Sequence, residues 1–253
     1  MPYPIPLEGK TALIIGGAGG IGAATAGMFA EGGARVAITH RPAPAKARAA
    51  DGIVARLSGT GHAALTADVA DTATLLSLRD AFAERFGDLD ILVNTAGFTK
   101  PIAHADLEAL DDDLIDRMFQ VNWRGQFAAI RTFAPMLKAT GDGLIVSISS
   151  LSALTGNGSS VAYCATKAGI DVMTKSLARA LAPEIRVMAV SPSVVDTTFV
   201  AGRGPEFNAT ASAATPLKRV ATADDVAAAV VACATHLGYS TGSIIVVDGG
   251  RAL

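Results

Sequence analysis

This chain of 253 residues has few cysteines, few aromatics and no strong charge of either sign. Its two cysteines, Cys164 and Cys233, lie far apart and lack metal-ligand spacing, which excludes a disulfide framework and a thiolate zinc site. The four histidines, His40, His62, His104 and His236, are scattered, so no metal is expected. A net charge of −2 without a long basic run sets aside nucleic acid and anionic membranes as partners. No apolar run approaches the ~20 residues that a membrane-crossing helix needs. Met1 to Lys10 has neither the basic start nor the apolar stretch of a secretory leader. The expectation is a cytoplasmic protein with reduced, buried thiols. Aromatics make up only 5% of a chain that is half apolar and holds 26 glycines. Its core must therefore be built mainly from Ala, Val, Ile and Leu, which suits helices packed closely on a sheet.

Short apolar runs recur along the chain: Thr11–Ile15, Arg35–Thr39, Ile91–Val93, Leu144–Ile148, Arg186–Val190 and Ser243–Val247. Each has β-branched residues and nearby Gly or Pro, the pattern of a buried strand. Between them lie longer amphipathic stretches, Ile21–Glu31, Asp71–Phe86, Leu107–Lys138, Ser160–Leu181 and Ala223–His236. The third is too long for one ordinary helix and is expected to break near Gln120–Gly125. Strand and helix alternate, which predicts an α/β fold with a doubly wound parallel sheet and helices on both faces. Its length suits one domain over residues 1–253. The exception to this regularity is Ser193–Thr215, rich in small residues, Gly, Pro and Asn; such a loop reads as a lid or mobile binding segment. Asp111–Asp113 and Asp224–Asp225 read as solvated helix starts favoured by the helix dipole.

Three patterns carry chemistry. Gly16-Gly17-Ala18-Gly19-Gly20-Ile21-Gly22 follows the first strand and opens the first helix. Glycines there allow a tight turn and close approach of backbone to a pyrophosphate, while the exposed amides and helix dipole attract its charge. The second strand ends at Thr39-His40-Arg41 without the acidic residue that would hold a ribose 2′-hydroxyl. His40 and Arg41 could instead face a 2′-phosphate, which favours NADP over NAD, although a solvated Arg41 before a Pro-rich loop, Pro42-Ala43-Pro44, is the plainer alternative. Finally, Tyr163 and Lys167 stand four residues apart, one helical turn on the same face, with Ser150 thirteen residues upstream of Tyr163. An ammonium beside a phenol favours the phenolate. The same spacing also occurs where a tyrosine packs and a lysine is merely solvated.

Taken together, these residues resemble the short-chain dehydrogenase/reductase family over essentially the whole chain, which implies a single-domain Rossmann fold. Gly16, Gly20 and Gly22 match the family's first motif, with Gly19 and Ile21 between them and Ile15 where threonine is usual. Asp68-Val69 resembles the adenine contact, and Asn94-Thr95-Ala96-Gly97 the segment after the fourth strand, with Thr95 replacing the usual second asparagine. Asn122, Ser150, Tyr163 and Lys167 match the catalytic tetrad. Ser149 and Ser152 are neighbouring serines; Ser150 is preferred because its separation from Tyr163 matches the family, while Ser152 is expected to line the pocket. Pro192-Ser193-Val194-Val195-Asp196-Thr197 resembles the segment near the nicotinamide, with Ser193 in place of glycine, and implies contacts from Pro192, Val195 and Thr197. Pro216-Leu217-Lys218-Arg219 resembles the end of the substrate loop, and Val247-Asp248-Gly249-Gly250 the closing strand and turn. The motif layout is similar to 3-oxoacyl-carrier-protein reductases.

The resemblance implies hydride transfer between nicotinamide and a carbonyl or secondary alcohol. Tyr163 acts as general acid/base, Ser150 holds the substrate oxygen, and Lys167 lowers the tyrosine pKa and binds the ribose hydroxyls. Asn122 is expected to hold a water that links Lys167 to solvent. A pocket of Phe98, Ser152, Ala153, Phe199 and an Ala-rich loop suits a neutral or apolar small molecule, while Arg203 and Lys218 could meet an anionic tail. The resemblance also implies a homotetramer. A noncatalytic dinucleotide sensor on the same fold is the alternative from another functional class; loss of the Tyr or Lys would be its mark, and both are present.

Overall fold

Strand β1, Thr11–Ile15, is buried at every position. A strand that is covered on both faces must read as a continuous apolar run, and this one does. The computed structural model describes residues 4–253, so the leader reading over Met1–Lys10 falls in part outside the described residues. Around β1 a seven-stranded sheet assembles from β2 (Arg35–His40), β3 (Ala63–Thr66), β4 (Ile91–Asn94), β5 (Gly143–Ile148), β6 (Ile185–Pro192) and β7 (Ile244–Val247). Their order is β3-β2-β1-β4-β5-β6-β7, and every pairing is parallel. The expected doubly wound Rossmann sheet is present. Six strands coincide with the apolar runs within about two residues. The seventh, β3, is a short edge strand whose Leu65 and Thr66 are not fully buried, so it lacks the long apolar run that marks the others.

The helices are α1 (Gly20–Glu31), α2 (Pro44–Val54), α3 (Thr72–Phe86), α4 (Asp112–Phe119), α5 (Gly125–Ala139), α6 (Ser152–Thr155), α7 (Val161–Leu181), α8 (Pro205–Ala213) and α9 (Ala223–Thr235). Two cores form, one on each face of the sheet. Leu78, Phe82, Phe133 and Ile170 of α3, α5 and α7 pack on one face. Ala26, Phe29, Ala50, Val226 and Val230 of α1, α2 and α9 pack on the other. The expected break at Gln120–Gly125 is a wide turn, Gln120–Arg124, with π-helical bonding that joins α4 to α5 without interrupting the chain's course. Such turns cluster at functional sites, and this one presents the fully buried Asn122.

Two loop expectations are corrected. Pro42-Ala43-Pro44, read as a Pro-rich loop, is one only in part, because Pro44 occupies the first turn of α2, where its missing N–H costs nothing. Ser193–Thr215 contains α8, also opened by a proline, Pro205. The acidic helix starts behave as expected: the Asp111 side chain accepts from Leu114 N, and Thr222 and Asp225 close a capping box. Arg219 grips the Asp225 carboxylate as well and holds it well below the usual carboxylate range. Among the described residues no helix is long and apolar enough to cross a membrane.

Candidate active site

Strand order reverses between β1 and β4, so the loops leaving them part and open a crevice at the carboxyl edge of the sheet. The turn after β1 lies there. Gly16 has φ +80, and a Cβ on it would stand 2.8 Å from Ala96 N. A Cβ on Gly22 would stand 2.7 Å from Gly17 Cα. The turn is thus closed to side chains by backbone on both sides. Gly19 caps α1 without any side-chain hydrogen bond, and its first turn carries no acidic residue. Uncapped amides at a helix N-terminus bordering a cavity fit the pyrophosphate of a dinucleotide.

Opposite this turn, α7 presents Tyr163 and Lys167. The Ser160 hydroxyl accepts from Tyr163 N at 3.2 Å and fixes where the helix begins. Lys167 is 4% exposed, and its Nζ donates to the Ile148 carbonyl at 2.7 Å, at the end of β5. That ammonium stands 5.7 Å from the Tyr163 ring centroid. Burial lowers the Lys167 pKa to about 8, with Asp171 one helical turn further on opposing the shift. Ser150, in the loop leaving β5, bears on the Tyr163 phenol and favours its ionised form. It also donates to Ser152 Oγ at 3.1 Å and accepts from Ser152 N at 3.2 Å. Burial pushes the Tyr163 phenol up to about 12, against the opposing influences of Ser150 and Arg203. The sequence reading assigned the lowering of this pKa to Lys167. In the structure burial outweighs every opposing influence, and those influences come from Ser150 and Arg203. Burial therefore strengthens the phenol's preference for its protonated form.

One cavity of about 430 Å³ joins these parts. Its lining includes Gly16, Gly19, Gly20, Ile21, Gly22, Gly97, Ser150, Tyr163, Lys167, Pro192, Val195 and Thr197. Ser152 and Phe199 line it as expected, whereas Phe98, Ala153 and Lys218 do not. Several other candidates stand behind the lining. Asn94 is fully buried and donates to Ser147 Oγ, and Ala96 sits under Gly16. Asn122 Oδ1 accepts from Phe98 N at 2.9 Å, while its Nδ2 donates to Phe98 O and Thr166 Oγ1. Its side chain ties the segment after β4 to the wide turn and to α7. Asp68 Oδ1 accepts from Ala70 N, and Val69 is buried against Gly125. His40 is 9% exposed, with one ring nitrogen against the Arg41 carbonyl and the other against Thr66 Oγ1. Of the pair at the end of β2, Arg41 alone is exposed. Among the described residues no cluster of His, Cys, Asp or Glu is arranged for a metal.

Sequence reasoning missed three contributors. Asp171 bears electrostatically on Lys167, and burial raises its own pKa; its position four residues after Lys167 was the available signal. Phe207 lies on α8, inside a stretch read as loop. Arg251 comes from the chain's last turn and also lines the cavity, and nothing in its local sequence marks it.

Comparisons with known proteins follow the same lines. The profile of a family described as enoyl-(acyl carrier protein) reductase matches residues 16–252. Cis-4-hydroxycyclohexanecarboxylate dehydrogenase of Sinomonas cyclohexanicum is 37% identical across 95% of this chain and 96% of its own. The 3-oxoacyl-(acyl-carrier-protein) reductase FabG of Thermotoga maritima is 32% identical across 98% of this chain and 99% of its own. Among solved structures, a short-chain dehydrogenase/reductase of the glucose/ribitol dehydrogenase type from Brucella melitensis superposes with a TM-score of 0.90 at 28% identity, covering 100% of both chains. A dehydrogenase/reductase from Sinorhizobium meliloti gives 0.88 at 34% identity, covering 99% of this chain and 98% of its own.

Proposed function

The chain belongs to the short-chain dehydrogenase/reductase family and is an NAD(P)-dependent oxidoreductase acting on alcohol or carbonyl groups; on that premise we propose how its residues divide the work. The carrying observation is that Tyr163, Ser150 and Lys167 line the same cavity as the uncapped glycine turn. When bound, the cofactor supplies the hydride and the protein manages position and protons. The amides of Gly19, Gly20, Ile21 and Gly22 hold the pyrophosphate. Pro192, Val195 and Thr197 flank the nicotinamide, and Asp68, Val69, Asn94, Ala96 and Gly97 complete the nucleotide's surroundings. In reduction, Tyr163 gives its proton to the carbonyl oxygen as negative charge develops there, and Ser150 donates to the same oxygen. Lys167, charged below about pH 8, offers its ammonium to the ribose hydroxyls. Asn122 holds the segment that shapes this end of the site, and a water beside it completes a proton path from Lys167 to solvent. The loop 193–215 closes over the substrate within a single domain, 1–253.

The preferred cofactor in this reading is NADP. Arg41 is exposed at the tip of β2, where no carboxylate stands to receive a ribose 2′-hydroxyl, and a guanidinium suits a 2′-phosphate. Arg41→Ala is expected to raise KM for NADPH about tenfold while changing that for NADH less than about twofold, since a charge-assisted contact contributes about 1.5–3 kcal/mol. Equal effects on both cofactors would refute the preference. The protein works in the cytoplasm, in keeping with its two free, buried cysteines. It forms a homotetramer, for which Val161 and Val172 on α7 provide exposed apolar surface; a monomer by light scattering would exclude that assembly. The deciding experiment is a panel of ketones and secondary alcohols assayed with NADH and NADPH. Turnover that survives Tyr163→Phe at the wild-type rate would remove Tyr163 from its role.

A further inference from the structure

Charge in the cavity is unbalanced. Its lining holds three cations, Lys167, Arg203 and Arg251, and no aspartate or glutamate. Lys167 is accounted for by Tyr163 and the Ile148 carbonyl. The two arginines are not. Arg203 is half-buried, with its guanidinium carbon 4.5 Å from the Phe207 ring centroid. Arg251 reaches in from the turn after β7, where the Asp248 carboxylate accepts from Gly250 N and Ala252 N and shapes the turn. Its Nη1 donates to the Ala211 carbonyl and to Thr215 Oγ1, which engages one of the three guanidinium nitrogens. Among the described residues neither arginine has a carboxylate within ion-pair distance.

The two guanidinium groups are close enough to feel each other, and Arg203 also feels Tyr163. Two like charges drawn partly out of water with no counter-ion are costly, and an anion between them would relieve both desolvation and repulsion. Arg203 bears on Tyr163, and Arg251 bears on Arg203 while bonded to the end of α8, so an anion between the two lies at the substrate end rather than on the cofactor's phosphates. Phe199, whose ring centroid is 6.3 Å from that of Tyr163, together with Phe207 and Val200 offers apolar surface beside the charges.

We infer that Arg203 and Arg251 form a carboxylate-binding subsite beside Tyr163, so that the enzyme's substrate is a small hydroxy or oxo acid. This rests on the oxidoreductase reading and develops the anionic contact that Arg203 offered in the sequence. Arginine's planar fork matches a carboxylate with paired hydrogen bonds. A phosphodiester, as on a pantetheine-tethered acyl group, shares that chemistry. The carboxylate is favoured because the arginines lie within the same cavity as the reacting oxygen, with no long tether to accommodate.

The test compares 4-oxocyclohexanecarboxylate with its methyl ester, in the full-length enzyme and in Arg203→Met, Arg251→Met and the double variant. Wild-type kcat/KM is expected to favour the acid by at least about tenfold, and the double variant to bring that ratio near one while the ester changes by less than about threefold. Equal use of acid and ester by the wild type, or equal losses for both in the variants, overturns the subsite. A second readout is calorimetric binding of unreactive cyclohexanecarboxylate and cyclohexanecarboxamide to the cofactor-loaded protein. Preference for the acid, lost in the double variant, supports the subsite whether or not turnover occurs; no preference overturns it. If 3-oxobutanoyl-pantetheine gains from the arginines only when 4′-phosphorylated, while the free acids gain nothing, the anion is a tether phosphate and the assignment fails. An active Tyr163→Phe variant would defeat the parent reading alone.

Discussion

The wall of the cavity that carries Ser150, Tyr163 and Lys167 grows out of the sheet: β5 is buried at every residue, and α7 packs Ile170 and Met173 into the core. The wall facing it, from Thr197 through α8, lies outside the sheet and buries only Ala211 of its nine-residue helix. The first wall has its side chains held by short hydrogen bonds to backbone, such as Lys167 to Ile148 at 2.7 Å. The second presents Phe199 at 41% exposure and Arg203 half-buried. Chemistry that must not vary is placed where packing over-determines position, and recognition is placed where few contacts constrain it. In the proposed function the first wall carries the reacting groups, and the second contacts the substrate.

Substitutions on the two walls should therefore separate kcat from substrate KM. The largest effect is expected from Tyr163→Phe, which removes the proton donor while leaving the ring packed. kcat should fall by roughly 10²–10⁴, with cofactor binding by fluorescence titration nearly unchanged. Next comes Gly22→Ala. Its new Cβ would meet Gly17 Cα at 2.7 Å and Gly16 O at 2.8 Å, backbone that has little room to yield. Overpacking of this kind costs about 1–3 kcal/mol, so thermal stability should drop and KM for NADH and NADPH should rise together. If only one cofactor is affected, the turn does not hold the part common to both.

On the outer wall, Phe199→Ala should raise substrate KM about fivefold by removing ~1 kcal/mol of apolar contact, with kcat and cofactor KM within about twofold. A loss of kcat as large as that of Tyr163→Phe would erase the distinction between the walls. The smallest effect is expected from Asp171→Asn, behind the inner wall. Asp171 raises the Lys167 pKa against the lowering by burial. Neutralising it lets Lys167 lose its proton at lower pH. The basic limb of the reduction rate, expected near pH 8 in the wild type, should thus move to lower pH. A limb that stays in place would separate Asp171 from Lys167.

Fold and inner wall were largely legible in the sequence for a shared reason. Strands covered on both faces have to be apolar throughout, and a glycine turn between strand and helix has to be glycine where backbone approaches within 3 Å. Ser150, Tyr163 and Lys167 could be aligned because strand end and helix start are rigid frames at fixed spacing. Legibility failed for β3, whose edge position asks little of its residues, and for α2 and α8, whose opening prolines resemble loop markers. It failed for His40, which reads like an anion contact beside Arg41 yet turns inward to the Arg41 carbonyl and Thr66.

By itself, then, the sequence determined a doubly wound sheet with a glycine turn after its first strand, because both follow from local periodicity or local backbone need, while the resemblance to a family proposed the residues of the inner wall. Tertiary structure alone decided that burial raises the Tyr163 pKa and lowers that of Lys167, that Asn122 spends its amide on Phe98 and Thr166, and that Arg251 and Arg203 line one cavity. Those outcomes depend on which groups lose water together. No spacing along a chain records what closure of the fold brings to the same side of a cavity.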